Sequence, residues 1–241
     1  MQIRLCLNQR IETMESESNQ SHWIPLADLM TGLMMVFMLL TAAFMLRVEQ
    51  TTTLVVKEYE KSKSNLQQAL QKEFKDDIKQ WNADLLGDMT IRFNDPEVLF
   101  ATGSSTLTEK YKIVLTNFFP RYIKLLNSPE FQGVVKEIRI EGHTSSFWSA
   151  NSTRQSAYFN NMKLSQDRTR STLEYLLVLP ELKSDVDWII KKVTANGLSS
   201  SVPYDPIDVN SAKNQRVEFR IVTNSDERMG QIAQKITSGN K

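Results

Sequence analysis

The residue in this chain whose type and setting most plainly imply chemistry is Asp28. It lies in the run Trp23–Leu46, WIPLADLMTGLMMVFMLLTAAFML, and no other residue there is charged. At a rise of about 1.5 Å per residue the run reaches roughly 36 Å, enough to cross a hydrocarbon core of about 30 Å. A carboxylate in such a span is costly, and as a rule it faces a partner or a water-filled path. An apolar surrounding penalises the charged form, so the group can load a cation from one side and release it to the other. That is the chemistry of a proton carrier, or of an oxygen ligand for Na⁺. Thr31 and Gly32 follow at i+3 and i+4 on the same helical face. The Thr31 hydroxyl can reach the carboxylate, and Gly32 lets another helix approach closely. A second account stays open: an acid in a helix's first turn near the membrane interface, favoured by the helix dipole. The residues alone do not separate the two.

Little else in the sequence points to catalysis. Cys6 is the one cysteine, so neither an intramolecular disulfide nor a multi-thiolate metal site can form. His22 and His143 are the two histidines and lie far apart. There is no Gly-rich phosphate loop, no usable Ser/His/Asp set and no ligand cluster, so neither an enzyme nor a bound cofactor or metal is expected. The pair Asp76-Asp77 reads as a solvated face. A net charge of +1 gives no basic field for nucleic acid. With 41% hydrophobic and 24% charged residues, the chain is neither wholly disordered nor a multi-span membrane protein.

The elements that would position these groups follow from patterning. Residues 1–22 are polar and include Glu12, Glu15 and Glu17, which argues for an uncleaved anchor rather than a signal peptide. The transmembrane helix is 23–46, with Trp23 as an interfacial anchor, Pro25 in the first turn and Arg47 closing the far end. Residues 47–87 carry Val48, Thr52, Val55, Tyr59, Leu66, Leu70, Phe74, Ile78, Trp81 and Leu85 at three- or four-residue spacing. That is an amphipathic linker helix, which pairs with a second copy as a coiled coil, serves as a plug, or lies on the domain C-terminal to it or on the membrane surface. From 88 to 223 the expected order is strand Met89–Phe93, helix Thr108–Leu126, strand Val135–Glu141, helix Leu164–Leu179, an unresolved segment Val186–Thr194, and strand Gln215–Thr223. The fold class is therefore α+β, a βαβα(α/β)β domain behind one N-terminal transmembrane helix. Residues 224–241 read as a loose tail.

Two stretches resemble known families. The run Trp23-Ile24-Pro25-Leu26-Ala27-Asp28-Leu29-Met30-Thr31 resembles the span of MotB-type stator subunits of rotary motors, most of all the ZorB-type members of Zorya anti-phage systems. The resemblance implies that Asp28, with Thr31 beside it, carries H⁺ or Na⁺. It also implies a homodimer inside a ring of a multi-span MotA/ZorA-like partner, which ion flow turns. Further on, four ordered matches resemble the OmpA-like peptidoglycan-binding domain. They are Val98-Leu99-Phe100 with Leu107, Ile140-Glu141-Gly142-His143-Thr144, Asn161 with Leu164-Ser165-Gln166-Asp167-Arg168, and Asn214-Gln215-Arg216-Val217-Glu218-Phe219. This second resemblance puts Arg168 on a stem-peptide carboxylate, with Asn160, Asn161 and Leu164 lining the pocket. A helix start near Ser165 would reinforce such a site.

Ser145 stands where that family has an aspartate that meets the peptide's ammonium group, and Phe147 and Trp148 replace polar residues. Peptidoglycan binding is therefore expected in an altered form, with His143 structural. The implied location is a bacterial inner membrane, single-pass, with the N-terminus cytoplasmic and the C-terminal domain periplasmic. The alternatives are a flagellar MotB-like subunit or a passive, membrane-tethered wall-binding protein.

Overall fold

A computed structural model describes residues 2–101 and 103–224. These residues form two units, divided between Lys57 and Glu58. The first helix, α1, is Gln2–Phe74. The stretch Trp23–Gln50 is long and apolar enough to cross a membrane. Every side chain from Trp23 to Arg47 is exposed in the isolated chain. One expectation is corrected here. Pro25 and Asp28 are not in a first turn, because the helix begins at Gln2 and runs through the proline. The proline therefore removes one internal hydrogen bond, a loss that membrane helices tolerate. Asp28 is also too far from the helix start for a favourable dipole effect, which fades within one turn.

The second unit is built on a five-stranded sheet in the order β1-β2-β5-β3-β4. Its strands are β1 Ala83–Leu85, β2 Thr90–Phe93, β3 Val135–His143, β4 Val193–Gly197 and β5 Arg216–Thr223. Only β3 and β4 pair in parallel. Around the sheet lie α2 Asp77–Gln80, α3 Pro96–Leu99, α4 Glu109–Leu126, α5 Arg154–Leu177 and α6 Val186–Lys192. On α4, Thr108 caps the first turn by accepting from the Tyr111 amide at 3.1 Å. The buried stripe of α4, Tyr111 to Leu126, then meets the sheet. Phe118 packs edge-to-face with Phe219 of β5 at 5.0 Å and Phe93 of β2 at 5.4 Å between ring centroids. This aromatic cluster dominates the core.

The amphipathic stripe after the span is used within the chain. Leu66, Leu70 and Phe74 are fully buried in this core, and Phe74 lies 5.3 Å from Phe118. Of the roles the periodicity allows, this part of the stripe lies on the C-terminal domain. The helix stops at Phe74 rather than running to 86. The chain turns at Asn82, whose φ is 48°, and Ala83–Leu85 pairs with Phe93–Ile91. The sheet thus starts before residue 88. Met89, at φ 64°, belongs to the tight turn into β2 rather than to the strand.

Three further expectations change. A bulge between Val135 and Glu137 turns Val135 into the core, whereas strict alternation along the expected strand Val135–Glu141 would put it beside Glu137, Arg139 and Glu141. The unresolved segment 186–194 holds both α6 and the start of β4. Helix α5 begins at Arg154, capped by Thr153, and not near Leu164. Ser165 is therefore mid-helix, and its amide is not an open donor. The tail from residue 225 on lies outside the described residues. Asn224 itself is tied to the fold, its amide donating to the Val134 carbonyl at 3.1 Å.

Helix α5 lies unusually close to the sheet. A Cβ at Gly142 would fall 2.7 Å from the Ser165 carbonyl oxygen, and one at Gly197 would fall 2.4 Å from the Gln166 amide nitrogen. Apart from Arg168 and Leu176, the buried residues of α5 are correspondingly small or polar: Ala157, Asn161, Ser165, Thr169, Thr172. Gln166 adds a clasp, donating to the Ala195 carbonyl at 3.0 Å and accepting from the Gly197 amide at 2.7 Å. Gly197→Ala is expected to lower stability by about 1–3 kcal/mol, since backbone must move to admit the methyl group. Urea unfolding of the full chain measures this. Gly87→Ala, where a Cβ has nothing within 4 Å, is the control.

Candidate functional site

In the first unit, Asp28 lies among exposed apolar side chains, with Thr31 one turn on. The Thr31 hydroxyl donates to the backbone carbonyls of Ala27 and Asp28, at 3.0 and 2.9 Å. Its proton is thus used inside the helix rather than on the carboxylate, as the sequence had suggested. Its oxygen lone pairs remain free to meet a cation.

In the second unit, Asn161, Leu164 and Arg168 share a face of α5 at i, i+3 and i+7, and Asn160 lies one position aside. Arg168 is only 5% exposed. Its Nε donates to the Ser104 carbonyl at 2.9 Å, and its guanidinium lies 5.0 Å over the Phe100 ring. The acids near it in sequence are taken by other groups: Asp167 pairs with Lys163 at 2.6 Å and Glu174 with Arg170 at 2.8 Å. Burial alone pushes the Arg168 guanidinium down to about 10, so it stays charged at neutral pH. Among the described residues this buried cation has no carboxylate partner; its neighbours are a backbone carbonyl and an aromatic ring.

The remaining site residues have structural partners. Asn161 is buried and donates to the Phe147 carbonyl at 3.1 Å, fixing the loop after β3. Asn160 reaches the Ser156 hydroxyl at 3.5 Å. Leu164 is half-buried. Ser145 is buried directly after Thr144, whose amide donates to the Ser199 carbonyl at 2.9 Å. Ser199 is fully buried at φ 53°, and its hydroxyl donates to the Tyr158 carbonyl at 2.8 Å. It therefore joins α5 to the same loop.

The outer face of the sheet holds a charge network that the sequence does not announce. Cross-strand register places Glu141 opposite Glu218, and Arg92 opposite Glu218 on the other side. Oε1 of Glu218 accepts from Nε of both Arg92 and Arg216, each at 2.7 Å. His143, 2% exposed, has Nε2 3.5 Å from the other carboxylate oxygen, and Arg220 Nε lies 3.4 Å from Glu141. Burial favours a neutral Glu218, but His143 and Arg216 outweigh it and hold the carboxyl well below the ordinary glutamate range. Glu141 moves the other way: burial raises it, only partly offset by Arg220. Glu141, His143 and Glu218 bring ligand-type atoms within 4.8 Å of one another, contrary to the expectation of no such cluster. Their carboxylates are already paired with guanidinium groups, so the arrangement is that of a buried ion network.

No protein-family model matches the chain. A MotB-like protein from Desulfovibrio vulgaris has a solved structure of the same fold, with a TM-score of 0.51 at 23% identity, covering 69% of this chain and 98% of that one. The α+β domain of this chain thus has the fold of that MotB-like protein, and it follows an apolar stretch, with one carboxylate, that is long enough to cross a membrane. The Zorya protein ZorB of Escherichia coli is 38% identical over 232 residues, 92% of this chain and 96% of that protein. The chain belongs to the ZorB family.

Proposed function

We propose that this chain is the wall-anchored, ion-conducting subunit of an inner-membrane motor that acts in anti-phage defence. Two copies lie within a ring of a multi-span MotA/ZorA-like partner, with N-termini in the cytoplasm and C-terminal domains in the periplasm. Asp28, helped by Thr31, carries H⁺ or Na⁺. Each change in its charge alters its contacts with the surrounding helices, and this biases one packing of the ring over the next. The observation that carries the reading is the lone carboxylate in a fully exposed apolar span, within a chain 38% identical to ZorB over almost its whole length. The test is ion flux into vesicles that hold the full chain and its multi-span partner. Absence of both H⁺ and Na⁺ flux would leave only a wall tether.

The anchor rests on Arg168, with Asn160, Asn161 and Leu164 around it, receiving a stem-peptide carboxylate. Ser145 supplies no charge for the peptide's amino group, so the guanidinium carries most of the affinity. Arg168→Ala is expected to reduce retention of the full chain on purified sacculi by roughly ten- to a hundredfold, the loss of one charge-assisted hydrogen-bond site. Arg168→Lys should recover only part of it, because an ammonium lacks the planar fork. Retention unchanged in both variants, with unfolding midpoints intact, would remove Arg168 from the anchor.

A further inference from the structure

Next to the loop that Asn161 fixes lies a groove of about 950 Å³ that the peptide site does not use. It is framed by the loop after β3, the first turns of α5 and the connection from β4 to β5. Phe147, Trp148 and Tyr158 supply ring surface, and Gln155, Asn210 and several serines supply amide and hydroxyl groups. Arg154 is the charged group in the lining, which contains no carboxylate.

Phe147 and Trp148 are 56% and 41% exposed, yet the loop that presents them is pinned. The Ser146 amide donates to the Val209 carbonyl at 3.0 Å, and its hydroxyl donates to Asn210 Oδ1 at 2.6 Å. On the other side the Asn161 carboxamide holds the Phe147 carbonyl. Exposed rings on a fixed loop lose little freedom on binding.

We propose that this groove binds the glycan strand of peptidoglycan: N-acetylated sugars, with a carboxylate at the Arg154 end. The inference rests on the peptidoglycan reading and extends it from stem peptide to sugar. Apolar faces of sugar rings suit the aromatic side chains, and hydroxyl and acetamido groups suit the serines and carboxamides. A sugar-borne carboxylate meets Arg154 and the positive end of α5. A nucleic acid or an anionic lipid surface calls for several cations, and the groove has one.

The test uses the full chain in detergent micelles and three probes. These are glycan strands stripped of peptide and bearing free lactyl carboxylates, uncharged chitotetraose, and free stem tripeptide. The stripped strands should bind. Trp148→Ala should weaken them at least tenfold, and Gln155→Ala, on the exposed first turn of α5, several-fold. Arg154→Ala should weaken the stripped strands but not chitotetraose. Arg168→Ala should spare both sugars and lose the tripeptide. If stripped strands fail to bind, or bind Trp148→Ala and Gln155→Ala as well as the parent chain, while Arg168 still governs the tripeptide, the groove inference alone is overturned. If no probe binds, the peptidoglycan reading falls with it.

Discussion

Asp28→Asn is expected to leave the chain assembled with its multi-span partner and to reduce ion flux to the level of empty vesicles. The exchange keeps size and shape but removes the one group between Trp23 and Leu46 that can take up and release a cation. One charge crossing about 100 mV releases about 2.3 kcal/mol, which shifts an equilibrium roughly fortyfold. Such a step suffices to move a ring between packings of nearly equal energy, provided that the charged and neutral forms make different contacts. An asparagine always presents the same form, so the bias never arises. Asp28→Glu retains the carboxylate and should keep partial flux. Co-purification and flux are measured on the same preparation, which separates lost conduction from lost assembly. Full flux in Asp28→Asn would place the ion path elsewhere.

Glu218→Gln is expected to destabilise the C-terminal unit by about 3–5 kcal/mol, because it leaves Arg216 buried and Arg92 nearly so, without their shared counter-charge. Urea unfolding of the full chain in detergent, followed by tryptophan fluorescence, checks this. The pH dependence has a defined sign. The folded carboxyl of Glu218 sits below its unfolded value, so its stabilisation is present above the ordinary glutamate range and is lost as pH falls beneath it. Glu141 is raised by burial, so its contribution has the opposite sign: it favours the fold in acid and fades as pH rises through its folded value. Glu218→Gln should therefore flatten the acid limb of stability against pH. An unfolding midpoint equal to that of the parent chain at pH 7 would show that the network contributes nothing.

The span was legible because 24 nearly uncharged residues leave few other outcomes, and β5 was legible because Val217, Phe219 and Ile221 alternate cleanly. Helix α5 was misplaced for a physical reason. Of its buried positions, Ala157, Asn161, Ser165, Thr169 and Thr172 are small or polar where its backbone rests on glycines, Arg168 is charged, and Leu176 is the one large apolar residue. Periodicity detects helices by large apolar residues, and this face has few. Strand β1 has three residues, too short for any pattern. The charge network joins residues of β2, β3 and β5 through a register that only the folded sheet defines. Phe147 and Trp148 stood out in the sequence as departures, but Arg154 and Gln155 did not. The signal for them was the serine-rich run from Ser145 to Ser156, which supplies hydroxyls, with Asn151 and Gln155 as amides, and no acid.

The glycines under α5 have a mechanical consequence. A helix separated from a sheet by intervening side chains can roll a little as those side chains change rotamer. Here Gly142 and Gly197 remove that cushion, and the Gln166 clasp grips the outermost strand. Arg154 and Arg168 sit on this rod, fourteen positions or about 21 Å apart along its axis. Their spacing is therefore as constant as that of two marks on a ruler, and tension applied at either mark passes straight into the strands beneath instead of being spent in twisting the rod.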